Sequence, residues 1–492
     1  MIHAYKIDNV WMGIHTEDQG TLLELSDHFS FFVPNYRYKQ QYFNGNWDGR
    51  IKLFNFMEQK LYIGLLPYLK TFARQFGYEL TISDDLFVDQ QLSPDETNAF
   101  MDSLHITNDK GEVITPRYYQ KMALYYMINA KRRVLVSPTA SGKSLMIYMF
   151  SKWFFKEKGG RIGLVVPTTN LVEQMNSDFH AYSQGTFDKH VHMIYSGKEK
   201  NDSSKSIYAT TWQSVYDLPE DYFDQFNAII VDECHGAQAQ SLKGLLEKCQ
   251  AEYRIGLTGT MHEPEAHKWV IEGLLGETTT LTTLKELQKR KMVSDLKINC
   301  VTFDYSNEDK KLVKGFSYHD EIKYIISHEK RNRKVMKAIG SVKENSFVLF
   351  DKVAYGKKLK EDLEEMYPDK KVYIVYGATK VKDREILRKA LEHETGSIVV
   401  ASYKVFSTGI SINNLFHIFF AEPVGKSTFR IMQSIGRSLR LHGQKEYATL
   451  WDFFDKLTNS KSKLNHCMRH AVQRVNKYNQ ESLSYKVIKV DL

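Results

Sequence analysis

No stretch of this 492-residue chain approaches the roughly twenty consecutive apolar residues that a membrane-spanning helix needs, which excludes a helical membrane protein. The opening Met1-Ile2-His3-Ala4-Tyr5-Lys6-Ile7-Asp8 lacks the charged-then-apolar order of a signal peptide. Cysteine is scarce. Cys234, Cys249, Cys300 and Cys467 are scattered without any Cys-x-x-Cys spacing, so neither a disulfide framework nor a zinc site is indicated. A reducing cytoplasm is the expected compartment.

What the chain does have is size and an uneven charge. Its length exceeds a single hydrophobic core and implies roughly three domains. The net charge of +8 divides into −5 over residues 1–100, −2 over 101–283, +9 over 284–455 and +6 over 456–492. The positive surplus therefore lies in the C-terminal half and points to a polyanionic partner, with solubility as the competing explanation. Lys461, Lys463, Arg469, Arg474 and Lys477, and the run Lys330-Arg331-Asn332-Arg333-Lys334, are candidate phosphate contacts, each also readable as a solvated face.

The most informative segment is Ser137-Pro138-Thr139-Ala140-Ser141-Gly142-Lys143-Ser144, between the apolar Val134-Leu135-Val136 and the helix-like Leu145–Phe150. A strand, a small-residue turn and a helix opening with Gly-Lys-Ser make a phosphate cradle. Backbone N–H groups of Thr139, Ala140, Ser141 and Gly142 face the anion, Lys143 adds charge where β- and γ-phosphates lie, and Ser144 offers a hydroxyl to Mg²⁺. Ser137 stands where the first glycine of such loops usually is, so an ordinary strand–turn–helix corner is the alternative. A second segment, Ala228-Ile229-Ile230-Val231-Asp232-Glu233-Cys234-His235, argues against that alternative. Its apolar strand ends in two acids, Asp232 to hold Mg²⁺ and Glu233 to orient and deprotonate the attacking water. ATP hydrolysis becomes the leading expectation.

Residues 1–100 read as a small α+β unit. Ala4–Ile14 reads as a strand, Leu22–His28 as a helix, and Lys39–Phe43 with Arg50–Phe54 as a hairpin around Asn44-Gly45-Asn46-Trp47-Asp48-Gly49. A helix over Gly64–Phe76 and a strand over Tyr78–Ser83 complete it. Residues 101–283 then alternate helical patterns with the apolar strands Val134–Val136, Ile162–Val166, Ser206–Ala209, Ala228–Val231 and Tyr253–Leu257. A second run within 284–455 has Ser346–Phe350, Lys371–Val375, Ser397–Ala401, His417–Ala421 and Tyr447–Trp451. The expected fold class is α/β, with two tandem parallel-sheet domains covered on both faces. Residues 456–492 read as a short basic helical tail with Met468, Val472 and Val475 as its apolar stripe.

The second α/β half lacks a phosphate loop. Its later helix carries Gln433-Ser434-Ile435-Gly436-Arg437-Ser438-Leu439-Arg440, in which Arg437 and Arg440 share a face. Planar guanidinium groups suit the spreading charge of a transferring phosphoryl group, and such an arginine raises the rate by roughly 10³–10⁵. A solvent-facing basic helix is the alternative. Gly436 weakens it, because glycine costs a helix about 1 kcal/mol without a packing reason.

In this order the motifs resemble those of DExH-type superfamily 2 helicases over residues 114–452, which implies RecA-like domains. Pro116-Arg117-Tyr118-Tyr119-Gln120 is similar to the adenine-reading segment, with Arg117 near the nucleotide, Gln120 on the base edge and a neighbouring aromatic stacked on it. The resemblance makes Thr168, of Val166–Gln174, and Thr211 and Gln213, of Thr210–Ser214, contacts to the nucleic-acid backbone, together with Ser402. It makes His235, Thr258 and Thr260 coupling residues, Gly409 a nucleotide contact, and Gln433 a catalytic residue beside Arg437 and Arg440. Ser411 stands where the family often has an Asp.

Tyr36-Arg37-Tyr38, Asn44–Ile51 and Val405–Ser411 narrow the likeness to recombination helicases of tailed phages, over nearly the full length. That resemblance implies ATP and Mg²⁺ as cofactors and branched or single-stranded DNA as partner, with an RNA–DNA hybrid as a further substrate. The implied reactions are fork regression, Holliday-junction branch migration and R-loop unwinding, by a monomer in the host cytoplasm without a membrane partner. Arg37, Trp47 and Arg50 are candidate DNA contacts, since bases stack on aromatic rings at roughly 1–3 kcal/mol each. A hairpin core is the alternative for these aromatics, and the net −5 limits any contact to a local patch. Two other readings stay open: an RNA helicase or a duplex translocase without strand separation, and a non-enzymatic ATP-gated nucleic-acid clamp.

Overall fold

Continuous apolar runs are what strands buried on both faces require, and two sets of them build this protein. The structure, a computed structural model, describes residues 1–33, 36–138, 141–195, 199–235, 240–259, 261, 265–409, 412, 414–425, 447–459, 463–480 and 482–492. They form two compact units, Met1–Thr282 and Thr283–Leu492. Among the described residues no helix is long and apolar enough to cross a membrane.

The first unit starts with six short strands: β1 (Ile2–Lys6), β2 (Trp11–His15), β3 (Ser30–Phe32), β4 (Arg50–Lys52), β5 (Lys60–Tyr62) and β6 (Leu80–Ile82). Four of them form a mixed sheet in the order β5-β2-β1-β6, and β3 pairs with β4 in a separate antiparallel ribbon. The single strand expected over Ala4–Ile14 is two, because the Asp8 carboxylate accepts from the N–H groups of Val10 and Trp11 and turns the chain back. The hairpin expected around Asn44-Gly45 is absent. Gln40–Phe43 is a short helix, and Asn44 with the left-handed Gly45 (φ +72°) ends it; Asn-Gly acts here as a helix stop.

The rest of this unit is a parallel sheet of β7 (Arg132–Val136), β8 (Arg161–Val166), β9 (Val191–Ile194), β10 (Ile207–Thr211), β11 (Phe226–Asp232), β12 (Tyr253–Thr258) and β13 (Thr278–Thr280), in the order β13-β7-β12-β11-β8-β10-β9. The five strands expected from the sequence are present, and β9 and β13 flank them. The N-terminal module shares a hydrophobic core with this sheet's helices. Trp269, on the helix Glu265–Leu275, packs against Phe29, Phe31 and Tyr68. Tyr62 donates to Glu247 and Tyr68 to Glu272, each at 2.5 Å, and Asn9 donates two hydrogen bonds to Gln250, from its backbone N–H to the side-chain oxygen and from its amide to the carbonyl. A Cβ at Gly64 would overlap the carbonyls of Glu272 and Gly273, so glycine is what lets the two backbones meet.

The second unit is a parallel sheet of β14 (Asp295–Asp304), β15 (Ser346–Phe350), β16 (Val372–Val375), β17 (Ile398–Ser402), β18 (His417–Phe420), β19 (Tyr447–Lys456) and β20 (Tyr485–Asp491), in the order β16-β17-β15-β18-β19-β14-β20. The helical tail is present over His466–Gln480, but the chain then adds β20 beside β14. Its buried face is Cys467, His470, Ala471, Arg474, Lys477 and Tyr478, whereas Val472 of the expected stripe is exposed.

Two arginines expected at the surface are core residues. Arg474 makes a two-pronged pair with Asp452 (2.8 Å each) and donates to the Val424 carbonyl at 3.0 Å. Arg331 does the same with Asp455 (2.8 and 3.2 Å) and donates to the Ala421 carbonyl. Both are buried, as are Asp452 and Asp455 on β19. Neither arginine is available as a phosphate contact, because an internal carboxylate already neutralises each. Lys477 is likewise buried, whereas Lys463 and Arg469 are exposed; Lys461 lies outside the described residues.

Candidate nucleotide-hydrolysing site

Strands β7, β12 and β11 are consecutive neighbours in the first sheet, so the segments leaving their carboxyl ends lie side by side. These segments carry the phosphate loop, Thr258-Gly259 and Asp232–His235. The Ser137 N–H donates to the Thr258 carbonyl at 2.9 Å, joining the first two. A parallel sheet thus assembles a ligand site from residues far apart in sequence, at the strand ends where such sheets bind ligands.

Lys143 opens the helix Lys143–Glu157, and Gly142 before it has φ +79°. The backbone angle selects glycine here, and a Cβ on Gly142 would also stand 2.5 Å from the Gln120 amide nitrogen and push it aside. Lys143 Nζ pairs with Glu233 Oε1 at 3.1 Å, and both side chains are nearly enclosed. The Gly259 N–H points to Glu233 Oε2 at 3.4 Å, and His235 Nδ1 lies 3.5 Å from that oxygen and 2.9 Å from Thr258 Oγ1. Glu233 has φ +53°, a left-handed backbone that a non-glycine residue adopts only when its surroundings hold it there. The strained residue is the one expected to handle the attacking water.

Electrostatics separate the two acids. Burial pushes the Asp232 carboxyl up to about 6, with Lys143 opposing the rise and Glu233 reinforcing it. Burial also acts to raise Glu233, but Lys143 and His235 outweigh it and hold this carboxyl below its ordinary range. Burial alone would weaken the Lys143 ammonium, yet the adjacent carboxylates raise its pKa. The pocket thus holds a fixed cation against an ionised glutamate.

Asp232 Oδ1 and the hydroxyls of Ser137 and Ser141 are buried with no hydrogen-bond partner among the described residues. Together with Ser144 they are hard oxygen groups of the kind a magnesium ion and phosphates engage. Among the described residues no cluster of three or more His, Cys, Asp or Glu side chains is arranged to hold a metal. A cation here would take Ser144 and Asp232 from the protein and its remaining ligands from phosphate and water, as Mg²⁺ does. The residues present fit it.

Of the other expected residues, Gln120 is brought to the loop, where its amide donates to the Ser141 carbonyl at 2.8 Å. Tyr119 donates to the same carbonyl at 3.0 Å and is fully buried, so it is not a ring free to stack on a base. Its role in clamping the loop had no local sequence signal. Arg117 donates to the Tyr119 hydroxyl. Thr139, Ala140, Thr260, Gln433, Arg437, Arg440 and Ser411 lie outside the described residues. Gly409 ends the helix Tyr403–Gly409, and the Ser402 hydroxyl accepts from the Val405 N–H at 3.4 Å in that helix's first turn.

Thr168, Thr211 and Gln213 line one cleft of about 630 Å³ together with Pro167, Thr169, Ser214 and Lys200. Thr168 Oγ1 is buried without a partner among the described residues, and Lys200 Nζ donates to the Ser214 carbonyl at 2.9 Å. Lys200 is a basic group at this cleft that the motifs did not single out. In the N-terminal module, Arg50 is tied to Asp27 (2.7 Å) and lies over the Phe32 ring. The Trp47 indole donates to the Arg50 carbonyl, and Arg37 lies over Tyr36. Tyr38 and Phe43 are the most exposed rings of this segment, at 90% and 86%.

Comparison with known proteins agrees with this architecture. A family described as "Type III restriction enzyme, res subunit" matches residues 113–263, and "DNA helicase UvsW, N-terminal" matches residues 7–83. The chain is 34% identical over 493 residues to the ATP-dependent DNA helicase uvsW of Enterobacteria phage T4, covering 96% of this chain and 97% of that protein. A DNA 3′-5′ translocase XPB2 of Sulfurisphaera tokodaii is 23% identical over 72% of this chain and 84% of its own. The crystal structure of T4 UvsW superposes with a TM-score of 0.54 at 32% identity, covering 100% of this chain and 99% of that one.

Proposed function

The chain belongs to the UvsW family of ATP-dependent DNA helicases, and from that premise we propose that it spends ATP, as its magnesium complex, on remodelling branched DNA. Fork regression, four-way-junction migration and R-loop removal are the reactions intended, in phage recombination, repair and replication. The single observation that supports the reading best is the pairing of Lys143 with Glu233 at 3.1 Å, beside a buried Asp232 whose Oδ1 has no hydrogen-bond partner among the described residues.

In this reading Lys143 turns from Glu233 to the β- and γ-phosphates, and Glu233, released from that pair, accepts the proton of the attacking water. Ser144 and Asp232 hold Mg²⁺, which when bound neutralises charge on the phosphates. Backbone N–H groups from Thr139 to Gly142 cradle the phosphates, and Arg117 and Gln120 serve the base. Arg437 and Arg440 take the role of stabilising charge on the transferring phosphoryl group, with Gln433 as a further catalytic residue and Gly409 as a nucleotide contact. His235 and Thr258, joined at 2.9 Å, are suited to pass the loss of the γ-phosphate to β12 and Thr260. Thr168, Thr211, Gln213 and Ser402 take the DNA backbone, and contacts of that kind are tolerant of sequence. Arg37, Trp47 and Arg50 belong to an N-terminal contact patch in this reading, although Arg50 would first have to leave Asp27.

A clamp without turnover is set aside by the family assignment. The choice among DNA substrates is tested by ATPase stimulation with single strands, linear duplex, forks, four-way junctions and RNA. The reading expects forks and junctions to stimulate most, and a preference for linear RNA would defeat it.

A further inference from the structure

Ser144 Oγ lies 2.9 Å from the hydroxyl of Tyr182, 38 residues further along the chain. Tyr182 sits in the last turn of the helix Thr169–Ser183. We propose that Tyr182 is the positioning residue that orients the Ser144 hydroxyl for the magnesium ion of MgATP, and that its helix joins that hydroxyl to the nucleic-acid cleft. The proposal rests on the assignment of Ser144 as a magnesium ligand made above.

A serine hydroxyl that gives a lone pair to a cation keeps one proton to donate. The Tyr182 oxygen stands at hydrogen-bonding distance to accept it, which fixes the rotamer that leaves the lone pair toward the metal. Outer partners of this type set ligand orientation, and their loss typically changes metal affinity by roughly 10–100-fold. Tyr182 is itself held in place. The Thr107 N–H donates to the Tyr182 carbonyl and the Thr107 hydroxyl to the Ala181 carbonyl. The Tyr182 ring packs at 5.5 Å on Tyr148, which belongs to the same helix as Ser144.

The other end of this helix lies elsewhere. Thr168 precedes it, Thr169 begins it, and both line the cleft that also holds Thr211, Gln213 and Lys200. Between the two ends, Val172, Met175 and Phe179 are buried against the unit, so the fifteen residues are braced along their length. One braced helix therefore has its first residues in the cleft proposed for the DNA backbone and its last turn on the proposed metal ligand. DNA seated at Thr168 and Thr169 acts on Ser144 through it.

Tyr182→Phe keeps the ring and removes only the oxygen. The test is binding of a fluorescent non-hydrolysable ATP analogue to the full chain, titrated with Mg²⁺, with and without single-stranded DNA. In the variant the Mg²⁺ midpoint is expected to rise by roughly 10–100-fold. Analogue affinity in EDTA and the thermal melting temperature are expected to match the parent. The parent's midpoint is expected to fall when DNA is added, and the variant's to stay where it was. A variant midpoint within about twofold of the parent overturns the proposal, and a DNA-induced fall retained in the variant overturns the link through the helix. Ser144→Ala in the same titration separates two failures. If it moves the midpoint and Tyr182→Phe does not, only the tyrosine's role is lost; if neither moves it, the magnesium assignment of Ser144 falls as well.

Discussion

Lys143 and Glu233 form a nearly enclosed ion pair, Nζ to Oε1 at 3.1 Å, across the ends of strands β7 and β11. The lysine's present partner is thus a carboxylate that phosphate must displace, and the glutamate is the group this displacement would release. Glu233→Gln keeps the size and one acceptor oxygen but cannot take a proton. It is expected to bind ATP with near-parental affinity while turnover falls by roughly 10²–10⁴-fold. Equilibrium binding of a labelled nucleotide, run beside steady-state phosphate release, checks both halves. Lys143→Ala is expected to abolish hydrolysis outright.

The His235–Thr258 contact at 2.9 Å joins the segment after β11 to the end of β12. Thr258→Val removes the hydroxyl without opening a void. The expected outcome is a modest change in DNA-stimulated ATPase and a much larger loss of strand separation. Measuring ATP consumed per base pair opened checks this, and an unchanged ratio argues against a coupling role.

Arg437 is expected to matter through the rate of the chemical step. Arg437→Ala should leave nucleotide affinity within a few-fold and lower turnover by roughly 10³–10⁵-fold, the range for arginines that stabilise a transferring phosphoryl group. Single-turnover hydrolysis measures that step directly. Parental turnover would remove the residue from the catalytic set.

In the second unit, Arg331→Ala would strand the buried Asp455 carboxylate. The expected destabilisation is about 3–5 kcal/mol, since the remaining charge has no water to turn to. Chemical denaturation followed by tryptophan fluorescence reads it, and Arg474→Ala, which strands Asp452, should behave alike. A surface role for either arginine predicts a change near zero.

Acid should loosen the same sheet at a defined place. Asp304, ending β14, accepts from Lys310 at 2.5 Å and Lys456 at 2.6 Å. Partial burial acts to raise its carboxyl, but the two lysines outweigh it and hold the pKa below the ordinary value. A carboxylate depressed on folding contributes stability that is fully present above its unfolded pKa, about 3.9, and is lost as pH falls through the folded value. Asp304→Asn is therefore expected to lower stability by a constant amount from neutral to mildly acid pH. Parent and variant should converge below about pH 4; a gap unchanged at lower pH contradicts the pairing.

The grouping of Lys143 with Asp232 and Glu233 was legible because the signals for it are local. Lys143 and Ser144 open one helix after a small-residue turn, and Asp232 and Glu233 stand at the end of one apolar strand, so short segments carried the meaning. Strands β9 and β13 were missed because they are the edge strands of their sheet, and His192 and the three threonines Thr278–Thr280 lack the continuous apolar run that marked the central strands. The β20 strand hides in a basic tail whose composition suggested only a helix. Arg331 and Arg474 were misread for a related reason. Their acids lie 124 and 22 residues away, and nothing local to an arginine reports a distant carboxylate. Asn44-Gly45 misled in the opposite way, since the same left-handed glycine serves a hairpin turn and a helix end. The contacts of Tyr119 and Tyr182 had no sequence signal because each is made to a backbone or hydroxyl group brought near only by the fold.

The most direct test of the account is ATP-dependent remodelling of synthetic forks and four-way junctions by the full chain, beside Glu233→Gln. The parent protein should regress the forks and migrate the junctions only when ATP and Mg²⁺ are present, and the variant should bind the same DNA without converting it. Junctions left intact while ATP is consumed, or equal conversion by the variant, would contradict it.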